Sequence, residues 1–179
     1  VATVPATHTF SDGIALSSEQ NAYVRDPLLF LFSRPAAELR QSVAQSIPNT
    51  TWTSITFDVE DLDSDPAGTG GHSTSSNTSR YVALYAGWYR VGGGVEFAVN
   101  ATGQRGAAWA VNGTLVSANR TFISATAAVG MGVPARTKLV FLNVGDYVEL
   151  QAYQNSGGAL NTFVTAEAAP GMSVVWERS

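Results

Sequence analysis

A strict alternation of apolar and polar residues, starting at the turn Gly145-Asp146, constrains this chain more than any other feature. Val148, Leu150 and Ala152 fall on one side, and Tyr147, Glu149, Gln151 and Tyr153 fall on the other. A repeat of two belongs to a strand with one face to bury, because successive side chains leave a strand in opposite directions. The same grammar returns at Gly87-Trp88-Tyr89-Arg90-Val91, at Val95-Glu96-Phe97-Ala98-Val99 and at Trp109-Ala110-Val111-Asn112-Gly113. Strands are predicted over residues 39–47, 51–59, 80–85, 88–100, 107–116, 121–127, 137–143, 147–153 and 172–177. Many short strands at near-regular spacing make an all-β sandwich or barrel, not an α/β enzyme.

Ahead of this β region lies a segment of different character, so the chain divides into an arm, 1–35, and a head, 36–179. Within the arm, Ser17 is placed to cap a short helix, with Gln20 at the reciprocal position. Asp26-Pro27 reads as a second helix start, with Asp26 capping and proline in the first turn. The apolar pentad Leu28, Leu29, Phe30, Leu31 and Phe32 follows, and Arg34-Pro35 ends it. Five apolar residues fall far short of the roughly 18 that a membrane span needs. The arm is too small to form a core of its own, so something must cover the pentad. Residues 61–77, rich in Gly, Ser, Thr and Asp, are expected to be a surface loop, and 130–135 and 155–161 are expected to be further ones.

Composition excludes several function classes. Charged residues make up 13% of the chain, against roughly 25% in ordinary globular proteins. Net charge is −4 and Lys138 is the single lysine, so no basic stripe exists to neutralise a phosphate backbone, and nucleic acid is not an expected partner. Cysteine is absent, which excludes disulfides, thiolate metal sites and cysteine nucleophiles. For a β-rich chain this leans towards a bacterial or viral origin. The first ten residues carry neither a basic nor a long apolar region of the signal-peptide kind, and Val1 fits literal translation of a GTG start and trimming of a longer chain equally well.

Candidate chemistry is sparse. Asp61-x-Asp63-x-Asp65 imitates the opening of a calcium loop, but the sixth position is Pro66 and the twelfth is His72, where glycine and glutamate are required. The run from Asp58 to Asp65 is therefore read as a solvated acidic loop. His8 and His72 lie beside no nucleophile motif and no second histidine at ligand spacing. The aromatics Trp52, Trp88, Tyr89, Phe97, Trp109, Phe141, Tyr147, Tyr153 and Trp176 suit core or subunit contacts better than a sugar platform. Gly92-Gly93-Gly94 is read as a bulge or a close approach of strands, since no Lys-Ser/Thr or helix follows it. Sequons at Asn49, Asn77, Asn100, Asn112 and Asn119 follow from a Thr/Ser/Asn-rich composition, and Asn112-Gly113 reads as a hairpin turn. No catalytic, cofactor-binding or metal-ligating set is expected.

Taken together, Gly87-Trp88-Tyr89, the Asn112-Gly113 turn, Leu142-Asn143-Val144-Gly145-Asp146-Tyr147-Val148-Glu149-Leu150 and the closing strand from Met172 to Trp176 resemble the globular head of the complement first-component q-subunit family. That head shares its jelly roll with tumour necrosis factor, and the resemblance covers roughly residues 50–179. It implies a ten-strand jelly roll that assembles as a homotrimer and acts by binding. A second, narrower resemblance is carried by Asn21-Ala22-Tyr23-Val24-Arg25-Asp26-Pro27, Trp52-Thr53-Ser54-Ile55-Thr56-Phe57-Asp58, Gly71-His72-Ser73 and the stretch from Arg80-Tyr81 to Gly106. These resemble small virion proteins of tailed phages that infect actinobacteria. The resemblance implies a non-enzymatic protein on the virion exterior, in the tail or as a decoration of the shell. A carbohydrate-binding or carbohydrate-active envelope protein is the reading from a different class. Leu28, Leu29, Phe30, Leu31 and Phe32 are the expected anchor to another virion protein. Tyr147, Glu149, Gln151 and Tyr153 are the expected threefold contact, and a host surface polysaccharide or protein is a further expected partner.

Overall fold

A computed structural model describes residues 20–127 and 130–179. Ser17 and His8, and so the first predicted cap and one of the two histidines, lie outside the described residues. The described chain is an antiparallel β-sandwich preceded by one short helix. A π-type turn, Asn21–Arg25, runs into α1, Asp26–Phe32. Thirteen strands follow among the described residues, five of them only two residues long.

One sheet holds five strands in the order β10 (Met131–Leu142), β6 (Gly87–Phe97), β13 (Gly171–Arg178), β1 (Ala36–Arg40) and β4 (Val59–Ser64). The second runs β3 (Thr53–Ser54), β11 (Tyr147–Gln154), β7 (Gln104–Val111) and β8 (Thr114–Leu115), with β5 (Tyr81–Val82) on β11 and β9 (Thr121–Ser124) on β7. A small pair, β2 (Ser46–Ile47) with β12 (Leu160–Asn161), closes one end. This is the jelly-roll sandwich that the sequence resemblance implied, with its ladders broken into more and shorter pieces.

The core forms where the inner faces meet. Tyr89, Val91, Val95 and Phe97 of β6, and Met172, Val174 and Trp176 of β13, face Trp109 of β7 and Val148, Leu150 and Ala152 of β11. Among them, Val148, Leu150 and Ala152 are the set that alternation placed on one face of their strand. Asn112 and Gly113 both take positive φ, as a two-residue hairpin between β7 and β8 requires. Mid-sheet, Gly93 sits opposite Met172 and Ala135, and a Cβ there would lie 2.2 Å from the Gly171 carbonyl oxygen. The glycine triplet thus marks a close approach of strands.

Four local expectations are corrected. The predicted strand 39–47 is two, because β1 stops at Arg40 and the chain turns across the sandwich end. There the Gln41 side chain accepts from the Thr162 hydroxyl at 2.8 Å and donates to Gln45. The acidic stretch is not all loop: residues 59–64 form β4, the edge strand paired with β1. The expected loop 130–135 is the start of β10, with Met131 opposite Phe97. Finally, Asp26 does not cap a helix. The turn before it is already helical, and the Asp26 carboxylate instead accepts from Arg25 at 2.8 Å.

Candidate interaction surfaces

The arm is latched to the head by one ring. Phe30 is buried, edge-on to Tyr85 at 5.1 Å and to Trp176 at 4.8 Å between ring centroids. Both sockets come from the head, so Phe30 leaves the expected anchor set: it holds the chain to itself. Helical spacing could not show this, because its partners are 55 and more residues away in sequence. Leu28, Leu29 and Leu31 remain about half exposed, and Phe32 is 84% exposed. After the Ser33 N–H closes the helix on the Leu29 carbonyl, the Pro35 carbonyl accepts from the Trp176 N–H at 2.9 Å and leads into β1.

The row Tyr147, Glu149, Gln151 and Tyr153 points away from the core but is not bare. Glu149 is buried, accepting from the Ser79 hydroxyl at 2.7 Å with Arg80 at 3.5 Å. Arg80 also lies 4.1 Å above the Tyr147 ring. Gln151 donates to the Ser54 hydroxyl at 2.6 Å, and Tyr153 packs on Trp52 and Phe122 at 5.3 and 5.6 Å. The short strand β3 and the residues just before β5 thus cover this face within the chain.

Exposed apolar side chains stand on the other sheet. Leu139 and Phe141 of β10 are about half exposed, and Trp88 of β6 meets Phe141 edge-on at 5.6 Å. Beside them Arg90 bonds Glu177 at 2.6 Å, and Arg34 approaches the same carboxylate at 3.7 Å. A signal for this patch exists in the sequence: Leu139-Val140-Phe141-Leu142 is apolar at every position, which marks a strand covered on both faces.

The acidic run is occupied by donors of this chain. Asp58 accepts from the Ser42 backbone and hydroxyl, and Asp61 accepts from Arg40 Nε at 2.8 Å. Asp63 accepts the N–H groups of Gly71 and His72, at 2.9 and 2.8 Å. Asp65 accepts those of Ala67, Thr69 and Gly70, between 2.6 and 2.9 Å. Burial works against the Asp65 carboxylate, but the bonds from Gly70, Ala67 and Thr69 outweigh it and hold its pKa below the ordinary range. His72 closes the loop: its ring is sequestered, with Nδ1 2.8 Å from Glu60 Oε1 and Nε2 3.0 Å from the Thr78 carbonyl. These groups bind one another and build the loop.

No protein-family model matches the chain, and no curated protein matches it in sequence. Solved structures do match. Murine APRIL at pH 8.0 aligns with a TM-score of 0.58 at 13% identity, covering 80% of this chain and 98% of that one. Murine APRIL at pH 5.0 gives 0.56 at 12% identity, with 80% and 98% covered. Eiger TNF from S. frugiperda gives 0.55 at 13%, with 82% and 95% covered. The likeness is one of fold. It extends over nearly the whole of those chains and is that of a jelly-roll sandwich.

Proposed function

We propose that this chain is a non-enzymatic structural protein of a tailed-phage virion: a homotrimeric binding head on the particle exterior, tied through its arm to another virion protein. The observation that carries the reading is the arm helix. Phe30 fixes it to the head, yet Leu28, Leu29, Leu31 and Phe32 are presented outward. A helix held in place with an uncovered apolar face is suited to lie against a second protein. The phage context comes from the resemblance of the arm and β-region motifs to small virion proteins. We assign the head to the tail, where loops 65–80 and 155–159 would meet the host surface.

Self-association is assigned to the outer face of the five-stranded sheet. Trp88, Leu139 and Phe141 lie there, and closed symmetry lets each copy bury the same patch. The row on β11 is the weaker choice, because Glu149 and Gln151 already have partners within the chain.

Three measurements test this. Full-length protein should sediment as a trimer, and Leu139→Glu with Phe141→Glu should give a folded monomer; a wild-type monomer at high concentration overturns the assembly. Separately, removing residues 1–35 should abolish incorporation into particles, and unchanged incorporation overturns the docking role. A handful of copies per particle supports the tail assignment; hundreds would place the protein on the shell.

A further inference from the structure

A cleft of about 470 Å³ opens where the turn after β8 faces β10. Arg120 and Arg136 line it together with Ser117 and Asn119. Both arginines are exposed, and among the described residues neither guanidinium is paired with a carboxylate. In a chain of net charge −4, that is a local concentration of free positive charge.

Its walls are fixed from beneath by a single buried residue, Trp109. The indole Nε1 donates to the Arg136 carbonyl at 2.7 Å. This bond holds β10 where its pairing with β6 slips between Ala135 and Lys138. On the other wall the Trp109 N–H donates to Asn119 Oδ1, the Asn119 amide donates to the Val116 carbonyl, and the Val116 N–H returns to the Trp109 carbonyl at 2.9 Å. Ala118 is held in this turn at a φ of +52°, a conformation disfavoured for alanine. The cleft is therefore preorganised by bonds that do not use the arginine side chains. Arg120 also joins it to an aromatic cluster: its guanidinium carbon lies 5.7 Å from the Trp52 ring centre. Trp52 meets Phe122 at 5.7 Å, and Phe122 is 44% exposed.

We propose that this cleft binds an acidic sugar, with Arg120 and Arg136 taking its carboxylate and the Trp52–Phe122 surface taking the face of its ring. Planar guanidinium forks match a carboxylate in pairs, which favours this chemistry over a simple attraction to charge. The neighbouring aromatic surface favours a sugar over a bare inorganic anion, because a pyranose face is apolar enough to stack. The inference goes beyond the reading above and holds whether or not the chain belongs to a virion.

Titration calorimetry of the full chain with an oligogalacturonate tests it, alongside the carboxyl-reduced oligomer and inorganic phosphate. The acidic oligomer should bind, and more weakly as salt rises. Arg120→Gln and Arg136→Gln should each weaken binding roughly ten- to a hundredfold, as loss of a charge-assisted bond does. Arg178→Gln, outside the cleft, should leave it unchanged. Both cleft arginines are exposed, so the variants should melt as the wild type does, and either one alone suffices for the comparison. No heat with the oligogalacturonate, equal binding of the reduced oligomer, a response to phosphate alone, or an equal loss in Arg178→Gln each overturns the proposal.

Discussion

Two buried tyrosines with rings 6.0 Å apart show how a single hydroxyl is decided by its surroundings. Tyr89 donates to the Tyr85 carbonyl at 2.8 Å, whereas the Tyr81 hydroxyl finds no partner among the described residues. Burial pushes both phenols above their ordinary range, so both stay neutral. A buried hydroxyl without a partner carries its desolvation penalty uncompensated. Tyr81→Phe should therefore leave stability unchanged or raise it by up to about 1 kcal/mol, while Tyr89→Phe should lower it by about 1 kcal/mol. Equilibrium denaturation of the two variants checks the order; the reverse order would show that the Tyr81 hydroxyl is bonded. Arg105 poses the same problem more sharply. Its guanidinium is buried without a carboxylate and donates to the carbonyls of Asn100, Thr102 and Gln104, and burial lowers its pKa. It serves as a staple for the loop that precedes β7.

At the scale of elements, the chain's regular strands were legible and its irregular edges were not. The alternation around Val148, Leu150 and Ala152 names the inner face of β11 correctly, because a repeat of two has one geometric meaning. It cannot say what lies over the outer face, so Glu149 and Gln151 read as outward when β3 and the chain around Ser79 bury them. Charge misleads in the same way at β4. Five acidic residues between positions 58 and 65 look like a loop, yet each is paired with a donor from β1, from Ser42 just beyond it, from the following turn or from His72. That pairing ties the loop to pH. A carboxylate whose folded pKa is depressed stabilises fully above its unfolded value of about 3.9, and the gain is lost as pH falls through the folded value. Asp65→Asn should thus cost about 1–3 kcal/mol at neutral pH, and its difference from wild type should shrink below about pH 4. Melting curves across pH 2–7 check this; a difference that stays constant would mean that charge on Asp65 is irrelevant.

For the whole molecule, the sandwich could be read from the sequence and the relation of arm to head could not. Leu28 to Phe32 stand out as an apolar pentad on an appendage, but only the folded chain shows that Phe30 enters the head while its neighbours do not. The arginine cleft was equally hidden, since Arg120 and Arg136 are separated by β9 and brought together by Trp109. Phe30→Ala should remove about 3 kcal/mol or more of packing at a single latch. Hydrogen exchange should then speed up over residues 21–32 and stay slow in β6 and β13; a uniform rise across the head would show that the ring supports the whole core instead.

The route from arm to sheet has a mechanical consequence. Pro35 delivers the chain straight into β1, an interior strand flanked by β13 and β4, both antiparallel to it. Tension applied at the arm in line with β1 runs at right angles to those inter-strand bonds. The rungs on both flanks then share the load and yield together, where a pull on an edge would unzip them in turn. A tether grasped at this point resists rupture at its root.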